Sequence, residues 1–232
     1  MLYPRQAASH FKGTFLISPE ELAERLHRIK AFVFDWDGVF NGGQKDEHGS
    51  SPFNEVDAMG TNLLRFNHHL RNNAQAVTAI ITGENNKAAI AFARREHFHA
   101  VYCGIKYKAT ALEHLNKAYG ILEGEVAFVF DDVLDFSVAA VCGVRIMVNR
   151  ACNPLMIGWA KEQGYIDYLT AADGAHYALR ESVELLTGIS GHYEETIRER
   201  ARFTERYQHY LRERNETEPQ FFTVKDSVIT DL

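Results

Sequence analysis

Short, mostly apolar runs alternate along the chain with longer stretches in which apolar residues recur every three or four positions. The runs at 31–34, 76–81, 99–102, 126–130 and 144–148 predict buried strands, with a weaker one at 165–169. Helical periodicity covers 18–30, 59–70, 85–95, 109–118, 134–141 and 175–186. The first helix carries its own start signal: Ser18 can cap, Pro19 suits the first turn, and Glu21 can reach back to complete a capping box. Strands alternating with helices predict an α/β fold, a doubly wound parallel sheet with helices on both faces.

Two stretches depart from this rhythm. Residues 41–53 are turn-rich and polar, with Asn41-Gly42-Gly43 at the start, and predict a small β-hairpin insert too short to be a domain. After 190, arginines and glutamates interleave around a partial stripe of Tyr193, Ile197, Ala201, Phe203, Tyr207 and Tyr210. This predicts a charged amphipathic helix docked on the body or on another subunit, followed by a tail that only Phe221-Phe222 can anchor. The expected organisation is therefore one unit over 1–190 and a helix and tail over 191–232. His68-His69 has no partner at metal-ligand spacing, so both are expected on the surface.

Composition narrows the function classes. The 232 residues, 46% hydrophobic and 24% charged, suit one soluble domain with a small appendage. A net charge of −6 argues against nucleic acid and against an anionic membrane surface, and the glutamates offset the arginine-rich segment. Cys103, Cys142 and Cys152 form neither a zinc pattern nor a disulfide framework and fit a reducing compartment. No signal-like or membrane-spanning stretch stands out, so a cytoplasmic location is expected.

The chemistry is concentrated at predicted strand ends. Phe32-Val33-Phe34 runs into Asp35-Trp36-Asp37-Gly38, Thr82-Gly83 follows the next strand, Lys108 opens a helix, and Asp131-Asp132 follows 126–130. In a doubly wound sheet these ends meet in one crevice. Carboxylates, a hydroxyl and an ammonium are what phosphate-ester hydrolysis needs, because a dianionic ester resists an anionic nucleophile until a cation such as Mg²⁺ offsets the charge. Asp35 is the expected nucleophile and metal ligand, Asp131 a second ligand, and Asp132 a group to orient metal-bound water. Asp37 is the expected acid and base. Thr82, Gly83 and Lys108 would hold the phosphate, with Lys108 preferred over Lys106. Asp132 and Asp135 each read either as a cap of the following helix or as a site residue. Asp57 either lines the entrance and binds substrate or opens its helix.

In order and spacing, Asp35/Asp37, Thr82, Lys108 and Asp131/Asp132 resemble the four signature elements of the haloacid dehalogenase superfamily of aspartate-nucleophile phosphatases, over about residues 20–188. The resemblance implies a Rossmann-type core without a cap domain and a metal contact through the Asp37 backbone carbonyl. Asp35-Trp36-Asp37-Gly38-Val39-Phe40, Phe53-Asn54 before Asp57, and 174–181 resemble the capless 3-deoxy-D-manno-octulosonate 8-phosphate phosphatases, with those for nine-carbon sugar acids close by. This implies a small sugar acid phosphate as substrate and a homotetramer whose hairpins close the sites. The chain departs from the group at Trp36, where a smaller residue is usual and which is expected to narrow the site. It departs also at Phe130 in place of glycine, and at Glu84 and Val56 in place of arginine. Two other functions stay open: a phosphatase for an unrelated small ester, and a non-catalytic relative that binds or assembles through the arginine/glutamate helix.

Overall fold

The computed structural model describes residues 3–232; residues 1 and 2 of the N-terminal stretch lie outside that span. Its strands are β1 (Thr14–Phe15), β2 (Ala31–Phe34), β3 (Val77–Ile81), β4 (Ala100–Tyr102), β5 (Val126–Phe130), β6 (Val144–Met147), β7 (Tyr168–Leu169), β8 (Gln220–Lys225) and β9 (Val228–Asp231). They form one sheet in the order β1-β7-β6-β5-β2-β3-β4-β8-β9. The interior pairings from β7 to β8 are parallel, and only β1 and β9, at the two edges, run antiparallel to their neighbours. The chain moves outward from β2 through β3 to β4, then returns to place β5 on the other side of β2. That reversal opens the crevice at the carboxyl ends of β2, β3 and β5.

Alternation along each strand separates two apolar layers. Phe32, Phe34, Ile80, Ala127 and Val129 pack with α2 (Pro19–His27), α3 (Glu55–Asn72), α4 (Lys87–Glu96) and α8 (Ala178–Ile189). Ala31, Val33, Ile81, Val126, Phe128 and Phe130 pack with α5 (Ala109–Tyr119), α6 (Phe136–Ala139) and α7 (Pro154–Glu162). The departure at Phe130 is therefore a core choice, with its ring stacked on Phe128 at 5.2 Å. Ser18 caps α2 by accepting from Glu21 N at 3.1 Å, but the Glu21 carboxylate turns to Arg25 at 2.6 Å and leaves the capping box half made.

The 41–53 insert is not a hairpin. Asp46 Oδ1 accepts from His48 N and Ser50 N at 2.9 and 2.8 Å, and Asn41 Oδ1 accepts from Gly43 N at 2.8 Å. Side chains thus take the amides a ladder would need, and Pro52 has none to give. The segment is a loop folded back over the carboxyl end of β2.

The charged C-terminal segment is two helices, α9 (Tyr193–Ala201) and α10 (Glu205–Asn215), and the expected tail is the pair β8–β9. α9 and α10 cover the outer face of α3, which explains why that helix buries polar residues. Tyr207 Oη donates to Asn62 Oδ1 at 2.9 Å, and Asn67 donates to Thr196 Oγ1 at 3.0 Å. Tyr207 and Tyr210 pack on Phe66, each such aromatic burial contributing ~1.5–3 kcal/mol. His68 and His69, expected on the surface, are both buried, His69 beneath this cover beside Glu213 and His68 on the sheet side of α3, edge-on to Phe32 at 5.8 Å. β8 lies along β4, with Phe222 stacked on Tyr102 at 5.1 Å, so the hydrophobic Phe221-Phe222 pair did mark an anchor.

α3 begins earlier than its periodicity indicated because Asn54 caps it, accepting from Asp57 N at 2.9 Å. Asp57 is fully buried between α3 and α8: Oδ2 accepts from Asn54 Nδ2 at 2.6 Å and Oδ1 from Arg180 N at 2.9 Å. It joins helices and does not line an entrance. Burial raises its pKa from 3.8 to about 6, with the Asn54 and Arg180 hydrogen bonds opposing. A raised carboxyl contributes stability at low pH that is lost as pH climbs through the folded-state value. Urea unfolding should therefore show Asp57→Asn gaining on the parent protein between pH 4 and 7, by on the order of 2 kcal/mol. Parallel pH profiles for the two proteins would contradict this assignment.

Candidate active site

Asp35 extends the β2 ladder by one residue, its amide donating to Val129 O at 2.9 Å, and delivers its carboxylate into the crevice. Lys108, immediately before α5, is buried beside it. Lys108 Nζ donates to Asp35 Oδ1 at 2.5 Å and to Asp135 Oδ1 at 2.6 Å. Burial opposes the ammonium, but Asp135 and Asp35 together outweigh that penalty and hold its pKa above the ordinary lysine value. Lys106 points elsewhere, pairing in solvent with Glu84 at 2.5 Å. The Glu84 departure thus forms an exposed ion pair at the rim.

Asp131, directly after β5, completes an acidic cluster. One carboxylate oxygen each from Asp35, Asp131 and Asp135 lie within 4.8 Å of one another, and all three residues are buried. Burial, then repulsion from Asp35 and Asp135, pushes Asp131 up to about 9, while Arg150 pulls the other way. Arg150 Nε is 2.5 Å from Asp131 Oδ2, an ion pair at the wall of the crevice. Gly38, at φ +88°, makes room here, since a Cβ on it would overlap both the Asp131 carboxylate and Arg150.

Three buried carboxyl groups facing two cations form a cluster of hard oxygen donors that a dication would bring to full ionisation. That donor set fits Mg²⁺. The cluster contains Asp135 where Asp132 was expected. Asp132 stays at the cleft wall outside the buried cluster and accepts from Val133 N at 2.7 Å, while Asp135 Oδ2 accepts from the Asp132 and Asp131 amides at 3.1 and 3.4 Å. Asp135 therefore joins the buried cluster while pinning the turn after β5, and the two readings of it left open by sequence describe one residue.

Asp37 sits at the edge of the same cleft. Its Oδ1 accepts from Ser51 Oγ and its Oδ2 from Lys45 Nζ, both at 2.5 Å, with Asn86 Nδ2 at 3.4 Å. Lys45 and Ser51 come from the 41–53 loop. Trp36 does not narrow the cleft: it is fully buried on the other side of the strand end, stacked on Phe40 at 4.5 Å and in contact with Phe53 and Phe92. Its Nε1 donates to Ser51 O at 3.1 Å, so the indole fastens the residue that holds Asp37. Thr82 is also fully buried, its hydroxyl accepting from Glu84 N at 3.4 Å; it shapes the turn that presents Gly83 to the cleft.

The cleft has a volume of about 360 Å³ and is lined by Asp35, Asp37, Gly83, Lys108 and the acidic turn, with Arg150, Gly43, Val133 and Leu134 toward its mouth. Sequence reasoning missed Arg150, Lys45 and Ser51. Arg150 follows β6, whose carboxyl end was itself a signal; Lys45 and Ser51 lie in a loop whose path no periodicity reveals.

No family model matches the chain. It is 28% identical over 183 residues to the 3-deoxy-D-manno-octulosonate 8-phosphate phosphatase KdsC of Salmonella typhimurium, an alignment covering 77% of this chain and 89% of that one. A crystal structure of the same-named phosphatase from Moraxella catarrhalis, in complex with magnesium ion, phosphate ion and KDO, is similar at a TM-score of 0.65 and 26% identity, covering 80% of this chain and 99% of that one. A hydrolase from Legionella pneumophila described as HAD superfamily, subfamily III A, matches at a TM-score of 0.65 and 26% identity, with coverage of 78% and 94%. With this sheet order, this succession of side chains and these relatives, the chain is similar in fold and sequence to phosphatases of the haloacid dehalogenase superfamily, among them the capless 3-deoxy-D-manno-octulosonate 8-phosphate phosphatases.

Proposed function

We propose that the chain is a Mg²⁺-dependent phosphomonoester hydrolase that acts through an aspartyl-phosphate on Asp35, with a small sugar acid phosphate such as 3-deoxy-D-manno-octulosonate 8-phosphate as substrate. The observation that carries the reaction is the buried Asp35–Lys108–Asp135 array beside Asp131. The substrate class rests on the similarity to phosphatases of that name.

Asp35, Asp131 and Asp135 would hold the Mg²⁺, together with the Asp37 carbonyl that the resemblance implies; bound there, the ion would lower the electrostatic barrier to attack on the phosphate. Lys108 holds Asp35 Oδ1 and leaves Oδ2 to attack phosphorus in line. The Gly83 turn, braced by Thr82, and Lys108 receive the phosphoryl oxygens. Asp37 gives a proton to the departing alkoxide, then takes one from the water that attacks the aspartyl-phosphate at phosphorus. Asp132 is relegated to the turn, and Asp57 to the body of the fold.

A cytoplasmic location and assembly as a homotetramer belong to the same reading. The first rests on three free cysteines and the second on the resemblance alone. No helix among the described residues is long and apolar enough to cross a membrane.

Release of inorganic phosphate from a panel of sugar acid phosphates, sugar phosphates and p-nitrophenyl phosphate tests the reaction and the substrate separately. Octulosonate 8-phosphate should give the highest kcat/KM, and EDTA should abolish turnover until Mg²⁺ is restored. Equal rates across the panel would remove the substrate assignment and leave the reaction. Asp35→Asn should reduce turnover to background, and Asp37→Asn should lower kcat by about 10²–10⁴-fold. Undiminished activity in Asp35→Asn would refute the covalent route.

A further inference from the structure

Where α10 crosses α3, on the far side of the molecule's helical layer from the apolar core, two histidines converge on one glutamate. His69 Nε2 is 2.7 Å from Glu213 Oε2, and His209 Nε2 is 3.1 Å from Glu213 Oε1. His209 and Glu213 are one helical turn apart on α10 and so share a face, while His69 reaches them from α3. The three candidate donor atoms lie within 4.8 Å of one another. The imidazole rings stand at 70° with centroids 5.8 Å apart, so they approach the carboxylate from different directions without stacking. His69 is buried and His209 is half exposed, which gives the cluster a closed floor and an open side.

We propose that His69, His209 and Glu213 form a second metal site, for Zn²⁺ or a similar borderline-soft dication, which fastens the C-terminal segment to the body. Two imidazole nitrogens and one carboxylate oxygen suit Zn²⁺, with solvent as the remaining ligand on the His209 side. Mg²⁺ prefers oxygen donors throughout, so this donor set is chemically separate from the acidic cleft. The Gln75 side chain lies beside the cluster, donating to Tyr210 O at 3.3 Å, and its buried Oε1 has no partner. Both helices must be docked for the three donors to meet. An ion there binds the folded chain alone and stabilises it by mass action.

The test uses the full chain without an affinity tag, in buffer containing Mg²⁺. Adding ZnCl₂ to about 100 times the dissociation constant should raise Tm by roughly 5–10 °C. Co²⁺ in place of Zn²⁺ should give the visible absorption of a nitrogen-ligated, four- or five-coordinate ion. His209→Ala, at an exposed position, should abolish both signals and leave phosphatase turnover unchanged. Asp131→Asn should retain both. A zinc-independent Tm, or a shift that survives His209→Ala or disappears in Asp131→Asn, would overturn the proposal.

Discussion

Three carboxylates buried at the end of a hydrophobic sheet repel one another, and much of the surrounding architecture offsets that repulsion. Lys108 is shared between Asp35 and Asp135, Arg150 faces Asp131, and the amides after β5 close on Asp135. Removing one cation from such a cluster leaves uncompensated buried charge, which costs far more than an exposed pair ever contributes. The exposed Glu84–Lys106 pair at the rim makes the contrast within one protein. The cluster that is hard to bury is also the one that can attack a phosphate, so stability and reactivity draw on the same few side chains.

Around that cluster, the loop over 41–53 takes the place of a lid with regular structure. It supplies Lys45 and Ser51 to Asp37 and is itself held from below by Trp36. Gly174 closes the other side: a Cβ there would strike the carbonyls of Gly38 and Asn41, so only a glycine lets this segment approach the Asp37 loop. Asp37 is thus positioned by packing from two directions, although it sits near solvent.

The strands and the first-rank site residues were legible because both obey short-range rules. Apolar runs of four or five residues define β2, β3 and β5, and carboxylates placed directly after such runs must emerge at the sheet's carboxyl end. Trp36 packs as read but does not narrow the cleft, and Asp57 and Asp132 follow the helix-opening and capping sides of their readings, for a common reason. Sequence position assigns a residue to an end of an element, but the direction of its side chain depends on tertiary partners: Phe40 and Phe92 for Trp36, Arg180 for Asp57, Val133 for Asp132. The C-terminal segment is helical and docked as its apolar stripe indicated, but β8 and β9 were missed for the opposite reason: a β-strand pairing with a partner more than a hundred residues away leaves no local periodic signal.

That pairing governs how the molecule can be made. Until β8 arrives, β4 is an open sheet edge, because its partner, Phe222 beside Tyr102, lies more than a hundred residues further along the chain. Contacts so distant along the chain are slow to close, and the unpaired edge stays available to other chains in the meantime. The helices α9 and α10 immediately precede β8, and their docking on α3 fixes where the chain enters that strand. The charged segment that looked like an appendage thus leads directly into the strand that covers the β4 edge.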